Sequence, residues 1–291
     1  MTAATPLPLV QTPNALAQAL RPWRADGLRI GFVPTMGALH EGHLSLLDQA
    51  RAQADRVVVS LFVNPAQFAP GEDFAAYPRT LDQDAALLAA RGCDLLYAPD
   101  ARVMYPKGFA TTIRLEGPAL GLETDFRPDF FAGVATVVTK LFNQVRPDVA
   151  VVGEKDFQQC LVVKRLVADL DLGVEIRTGP TLREPDGLAM SSRNAYLSAA
   201  ERAIASRLNR VLAEAASRAA PGEPAARIEA DAVRALQAAG FSSVDYVAVR
   251  DAADLSAFEA VVDRPARVLG AAWLGRTRLI DNLPALPGAK F

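Results

Sequence analysis

Pro34-Thr35-Met36-Gly37-Ala38-Leu39-His40-Glu41-Gly42-His43 holds both histidines of the chain, three residues apart in one glycine-bracketed turn. An apolar run over 28–33 precedes it, and Leu44-Ser45-Leu46-Leu47-Asp48-Gln49-Ala50 follows with helical spacing. The turn therefore links a buried strand to a helix. In open α/β sheets ligands bind at the carboxyl ends of strands, where helix N-termini point N–H groups outward. Glycines let the backbone approach a ligand closely, and two imidazoles there can stabilise negative charge on phosphorus. A histidine pair at this spacing can also be half of a metal site or a purely structural pair of caps. No third ligand lies nearby in sequence, and the spacing is not the His-Glu-x-x-His zinc pattern.

Working outward, the fold class follows from what flanks the turn. Thr12-Pro13 reads as an N-cap with proline at the first helical position, opening a helix to about Ala25. Strands are expected at 28–34, 56–63, 94–98, 148–152 and 173–177, with helices at 43–54, 80–91, 130–145 and 156–169. The strand runs, such as Val57-Val58-Val59-Ser60-Leu61-Phe62-Val63, are almost continuously apolar, which suits a parallel sheet covered on both faces. Alternation of strand and helix implies an α/β, Rossmann-like, doubly wound parallel sheet. The character changes near Thr181. Ser198-x-x-Glu201 is a capping box opening an Ala-rich helix to about Ala219, and Pro221-Gly222-Glu223-Pro224 breaks it. A second helix to about Ala239 and strands at 243–250, 266–274 and 277–281 follow, the last two joined by a Gly275-Arg276 hairpin turn. The expected domains are 1–181 and a smaller α+β domain over 182–291, with a frayed tail at 284–288.

The bulk numbers narrow the function classes. The 291 residues can bury a sizeable core, and a net charge of −2 offers no basic surface for nucleic acid. No apolar run reaches the ~18 residues of a membrane span. Residues 1–11 lack the basic start and apolar centre of a signal peptide. Cys93 and Cys160 read as reduced core thiols of a cytoplasmic protein. Only five lysines stand against 26 arginines, so the place of each lysine is informative.

Three further stretches carry chemistry. Gly153-Glu154-Lys155-Asp156-Phe157-Gln158-Gln159 follows an apolar strand and opens a helix. Lys155 is a point charge suited to phosphate. Asp156 can cap the helix or accept from a nucleotide hydroxyl, and Gln159 can reach a substrate oxygen. Asp186-Gly187-Leu188-Ala189-Met190-Ser191-Ser192-Arg193-Asn194 offers two hydroxyls and a guanidinium, a polyanion grip; Pro185 and Gly187 make 183–194 a candidate hinge. Phe62-Val63-Asn64-Pro65-Ala66-Gln67-Phe68 brings the neutral amides Asn64 and Gln67 to the same sheet edge, as a small polar organic substrate requires. No Gly-x-Gly-x-x-Gly follows the first strand and no P-loop is present. Each stretch also has a bland reading as an ordinary turn.

Together with Tyr77-Pro78-Arg79-Thr80, these stretches make the chain resemble the pantoate–β-alanine ligases, over nearly its whole length. These belong to a nucleotidyltransferase superfamily with a His-x-Gly-His signature, here His40-Glu41-Gly42-His43. The resemblance implies that ATP and (R)-pantoate form pantoyl adenylate and pyrophosphate, which β-alanine then converts to pantothenate and AMP. It implies ATP binding by Met36, Gly37, Ala38, Leu39, His40, Glu41, Gly42, His43, Gly153, Glu154, Lys155, Asp156, Leu182, Met190, Ser191, Ser192 and Arg193, and pantoate binding by Gln67 and Gln159. His43, His40 and Lys155 would be catalytic, with His43 as proton donor. Magnesium would be held mainly by ATP phosphates. A cytoplasmic homodimer is implied. Because 183–194 links the two domains, the hinge predicts that ATP orders this stretch and draws the C-terminal domain over the cleft as a lid. Two departures are visible: Ala66 where the family often has Met, and Phe130-Phe131 where it often has His-Phe. A nucleotidyltransferase releasing the adduct itself, and a non-catalytic nucleotide-binding module, are the competing readings.

Overall fold

Six parallel strands form one sheet in the order β1-β4-β3-β2-β5-β6, comprising β1 (Leu9–Val10), β2 (Ile30–Thr35), β3 (Arg56–Leu61), β4 (Leu95–Tyr97), β5 (Val149–Gly153) and β6 (Glu175–Gly179). The structure is a computed structural model and describes residues 7–69, 71–219 and 222–285. Residues 1–6 of the N-terminal stretch, Pro221 and positions 286–288 of the expected tail lie outside those described.

Chain order explains the site. From β2 the chain moves outward to β3 and β4, then returns to pair β5 with the other side of β2. The order therefore reverses between β2 and β5, the switch point at which a crevice opens beyond the carboxyl ends of the strands. Both strands are buried on both faces. Phe32, Val58, Tyr97 and Ala150 join one core cluster, together with side chains of α1 (Pro13–Ala25), α6 (Phe130–Val145) and α7 (Phe157–Asp169). Val33, Val57, Val59 and Val151 join the other, together with α2 (Glu41–Arg51) and α3 (Leu81–Ala90). That alternation is why the runs read as continuously apolar. Thr12 Oγ1 accepts from Ala15 N at 3.2 Å, the cap its position implied. The two-residue β1 and the one-turn helices α4 (Ala101–Met104) and α5 (Glu123–Phe126) are too short to show in hydrophobic periodicity.

A second sheet is antiparallel, in the order β7-β8-β9: β7 (Ser243–Asp251), β8 (Ala266–Leu274) and β9 (Thr277–Ala285). Its core includes side chains of α9 (Arg207–Ala219) and α10 (Ala225–Ala238). The Ser198–Glu201 capping box forms, with Glu201 Oε2 accepting from Ser198 N at 2.8 Å. The expected single helix behind it is two, α8 (Ala199–Ala205) and α9, parted at the buried Ser206. β9 runs four residues past the expected Asp281 end, because Pro284 is tolerated on an edge strand, here opposite Arg267. Contacts divide the chain into one unit of 1–119, 127–154 and 162–180 and another of 120–126, 155–161 and 181–291. Cys93 and Cys160 are buried and neither forms a disulfide; burial pushes the Cys93 thiol up to about 12. Among the described residues no helix is long and apolar enough to cross a membrane.

Candidate active site

The turn after β2 is held by its own histidines. His40 is the N-cap of α2, with extended backbone at φ −138° and ψ 175°. Its Nδ1 accepts from Gly42 N at 3.1 Å, and His43 Nδ1 accepts from His40 N at 3.3 Å. The pair thus forms a reciprocal capping box, a task ordinarily given to Ser or Thr with Glu or Gln. Accepting at Nδ1 puts the proton of each neutral ring on Nε2. The rings lie 4.1 Å apart at one helix start. That is an anion-binding arrangement at the positive end of a helix dipole. Among the described residues no three His, Cys, Asp or Glu side chains are placed to hold a metal ion. Glu41 turns outward and pairs with Arg91 at 3.2 Å, so only its backbone remains for a ligand.

Asp84 of α3 went unnoticed in the sequence, where it reads as an ordinary helical carboxylate. It is 2% exposed, and its oxygens accept from Ala38 N and Leu39 N, each at 2.9 Å, and from Thr80 Oγ1 at 3.1 Å. Two consecutive amides of the turn are thereby fixed, and the backbone between β2 and His40 is held where Gly37 (φ +86°) and Ala38 (φ +51°) are left-handed. A left-handed alanine costs about 1–3 kcal/mol and needs such a restraint. The only sequence signal was Thr80 four residues before Asp84.

Beyond β3, Asn64 and Gln67 separate in role. Asn64 is 1% exposed and committed to protein: it donates to Gln67 Oε1 (2.9 Å) and Gly133 O (3.2 Å) and accepts from Tyr105 Oη (2.6 Å). It orients Gln67 and is no substrate ligand itself. The same loop packs against α6 so closely that a Cβ on Gly133 would lie 2.1 Å from Ala66 O. Gly133→Ala is therefore expected to push the loop off the helix and destabilise the protein by about 1–3 kcal/mol; an unchanged denaturant midpoint would contradict this. Arg127 donates to Gln67 O at 3.0 Å, pairs with Glu72 and lies 3.8 Å over the Phe130 ring. Phe130, one of the two departures noted above, thus packs the guanidinium that steadies the Gln67 loop.

β5 ends at Gly153 beside β2, and the chain passes through a 3₁₀ turn, Glu154–Asp156, into α7. Gln158 is buried, accepting from Glu123 N (3.2 Å) and donating to Gly121 O (3.1 Å), while Gln159 stays half-buried. Met36–His43, Gln67, Gly153 and Glu154 thus share the carboxyl edge of one sheet. Lys155, Asp156, Gln159, Leu182 and Met190–Arg193 fall in the second unit.

There the 183–194 stretch is internally hydrogen-bonded. Glu184 N donates to Leu188 O (2.8 Å), Gly187 N to Glu184 O (2.9 Å) and Met190 N to Leu182 O (2.9 Å). Asn194 Nδ2 donates to Glu184 Oε1 (2.9 Å), Arg202 grips Glu184 and Asp186, and Ser191 caps the turn holding Ser192 and Arg193. Pro185 and Gly187 here shape a hydrogen-bonded hairpin. Slow amide exchange at Glu184, Gly187 and Met190 is expected before any nucleotide is added; loop-fast exchange in the free protein would contradict it.

Comparison with known proteins agrees with this geometry. The family model described as pantoate-beta-alanine ligase matches residues 8–284. The chain is 56% identical to the pantothenate synthetase of Mesorhizobium japonicum over 275 residues, covering 94% of this chain and 96% of the relative. It is 54% identical to that of Maricaulis maris, covering 97% and 98%. The crystal structure of pantothenate synthetase from Thermus thermophilus superposes with a TM-score of 0.90 at 45% identity, covering 97% of this chain and all of that one. The pantoate-beta-alanine ligase from Francisella tularensis, solved with beta-gamma ATP and beta-alanine, superposes with a TM-score of 0.80 at 33% identity, covering 95% and 97%. With its paired histidines at the switch point of a doubly wound sheet, the chain belongs to the pantoate–β-alanine ligase family, and its activity is the joining of pantoate to β-alanine.

Proposed function

We propose that the ligation runs through pantoyl adenylate, with ATP on the His40–His43 turn, Gly153–Asp156, Leu182 and Met190–Arg193, and pantoate on Gln67 and Gln159. The carrying observation is the histidine capping box, in which both Nδ1 atoms accept and each ring of a close pair at a helix start on the carboxyl edge of the sheet is left with its proton on Nε2. A pantoate carboxylate oxygen attacks the α-phosphorus; the new P–O bond forms as the bond to the β-phosphate oxygen breaks, and pyrophosphate leaves with the electron pair. His43 Nε2–H donates to the α-phosphate oxygens as charge builds, and His40 and Lys155 act on the neighbouring phosphates. The neutral amine of β-alanine then attacks the acyl carbon, loses a proton, and expels AMP. The complex of the Francisella enzyme with beta-gamma ATP and beta-alanine supports these two as substrates here.

Magnesium fits the same reading as a companion of ATP. N–H and ammonium groups at the turn and at Lys155 suit phosphate oxygens, not a cation, so the ion would be held mainly by phosphates and water and would neutralise their charge. The family resemblance supports a cytoplasmic homodimer, which sedimentation of the purified protein checks.

Mass spectrometry of a reaction with ATP, pantoate and β-alanine tests the assignment. Pantothenate and AMP should form together, and a pantoyl–AMP adduct should accumulate when β-alanine is withheld. Release of ADP would contradict the adenylate route. Gln67→Ala and Gln159→Ala are each expected to raise the pantoate KM about tenfold or lower the first-step rate, because a polar substrate left unpaired costs roughly 1–3 kcal/mol. Calorimetry showing selective loss of ATP binding would reverse their assignment.

A further inference from the structure

β9 carries two buried polar residues side by side, Asp281 and Asn282, each 3% exposed. Consecutive strand residues face opposite sides of a sheet. Register with β8 identifies the sides. Asp281 lies opposite Gly270, over which Leu208 and Leu212 of α9 pack; Asn282 lies opposite Leu269, in a small cluster with Leu122 and Phe157.

Each residue holds a different segment. Asp281 accepts both terminal guanidinium nitrogens of Arg183, at 2.7 and 2.9 Å, and Asn209 Nδ2 at 3.2 Å. Arg183 Nη1 also donates to Gly187 O at 3.1 Å, closing the hairpin that leads to Met190–Arg193. On the opposite side Asn282 Nδ2 donates to Lys155 O at 2.8 Å, while its Oδ1 accepts from Arg267 Nε at 2.6 Å. The Arg267 guanidinium in turn lies 4.3 Å over the ring of Phe157, the first residue of α7. Sheet formation asks for none of this, since an apolar strand would pair with β8 equally well. A buried carboxylate and carboxamide are costly unless fully engaged, and breaking either set leaves charge or amide groups stranded.

We propose that Asp281 and Asn282 are positioning residues for ATP: neighbouring positions of one strand fix the Lys155 turn and the hairpin that leads to Ser191–Arg193 together, spacing their groups for a single polyphosphate. The inference rests on reading those two segments as phosphate-binding. Its physical content is preorganisation. Anchors one residue apart on a paired strand cannot drift independently, so the ligand does not have to order two loops separately.

Steady-state pyrophosphate release, measured well below each variant's melting midpoint, tests this. Asn282→Asp keeps the shape and the acceptor for Arg267 but sets an oxygen against the Lys155 carbonyl. The ATP KM is expected to rise about five- to tenfold while the pantoate KM stays within about twofold, as the loss of one buried hydrogen bond implies. Asp281→Asn, which removes the charge facing Arg183, should show the same split. A merely structural role would lower the melting midpoint and leave the kinetic constants of the folded enzyme alone. If Asn282 acts through the lysine turn, Asn282→Asp should add no more than about twofold to the defect of Lys155→Ala. A folded Asn282→Asp enzyme with the parent ATP KM overturns the proposal, as does a full multiplicative effect in the double variant. A Lys155→Ala enzyme with parent ATP kinetics would sink the phosphate reading itself, and the proposal with it.

Discussion

Replacing His43 with alanine is expected to slow pyrophosphate release from ATP and pantoate by about 10²–10³-fold, the usual cost of removing one donor aimed at charge that develops in the transition state. The side chain has two separable tasks. Its Nδ1 accepts from His40 N, completing the cap of α2, and its Nε2 carries the ring proton. Loss of the cap alone costs about 1 kcal/mol of stability and no more than a local fraying of the first turn. His43→Asn separates the tasks, because its Oδ1 can still take the cap bond while the donor at the Nε2 position is gone. The asparagine enzyme is therefore expected to be folded and almost as slow as the alanine one. An active His43→Asn enzyme would reduce His43 to a cap.

Asp84→Ala should be the most damaging single change away from the histidines. It strands the amides of Ala38 and Leu39, at about 1–3 kcal/mol each, so roughly 2–6 kcal/mol of stability should disappear. The left-handed Ala38 then loses its restraint and His40 and His43 lose their register. Asp84→Asn is gentler, since one oxygen still accepts, but its amide nitrogen must face a backbone N–H. Denaturant midpoints at constant slope, read beside pyrophosphate release, check both effects. An Asp84→Ala enzyme as stable as the parent would contradict the clamp.

Most of the doubly wound sheet was readable because its signals are local. The apolar runs of β2, β3 and β5, the Thr12-Pro13 start of α1 and the Ser198–Glu201 box each lie within a few residues of sequence. The His40–His43 turn was legible for the same reason, through two rare residues in one glycine-bracketed loop. What escaped depends on long-range pairing. Nothing near Asp84 says that its carboxylate crosses 45 residues to Leu39 N, or near Asn282 that its amide reaches back 127 residues to Lys155 O. The division of labour between Asn64 and Gln67 hinged on Tyr105 and Gly133, 41 and 69 residues from Asn64. Pro185 and Gly187 gave no sign of the hairpin they form, because the Arg183–Asp281 and Arg202 contacts that hold it depend on residues far along the chain. The Pro/Gly-rich residues from Pro284 onward read as a frayed tail, yet proline is tolerated on an edge strand such as β9.

The claim that pantoate is activated by bonding its own carboxylate to the α-phosphorus has one direct measurement. Pantoate labelled with ¹⁸O in its carboxylate should pass one labelled oxygen to AMP when ATP and β-alanine are present, because that oxygen stays on phosphorus when the amine expels AMP. Mass spectrometry of the nucleotide product showing singly labelled AMP is the expected result. Unlabelled AMP, or label found in inorganic phosphate beside ADP, would contradict it.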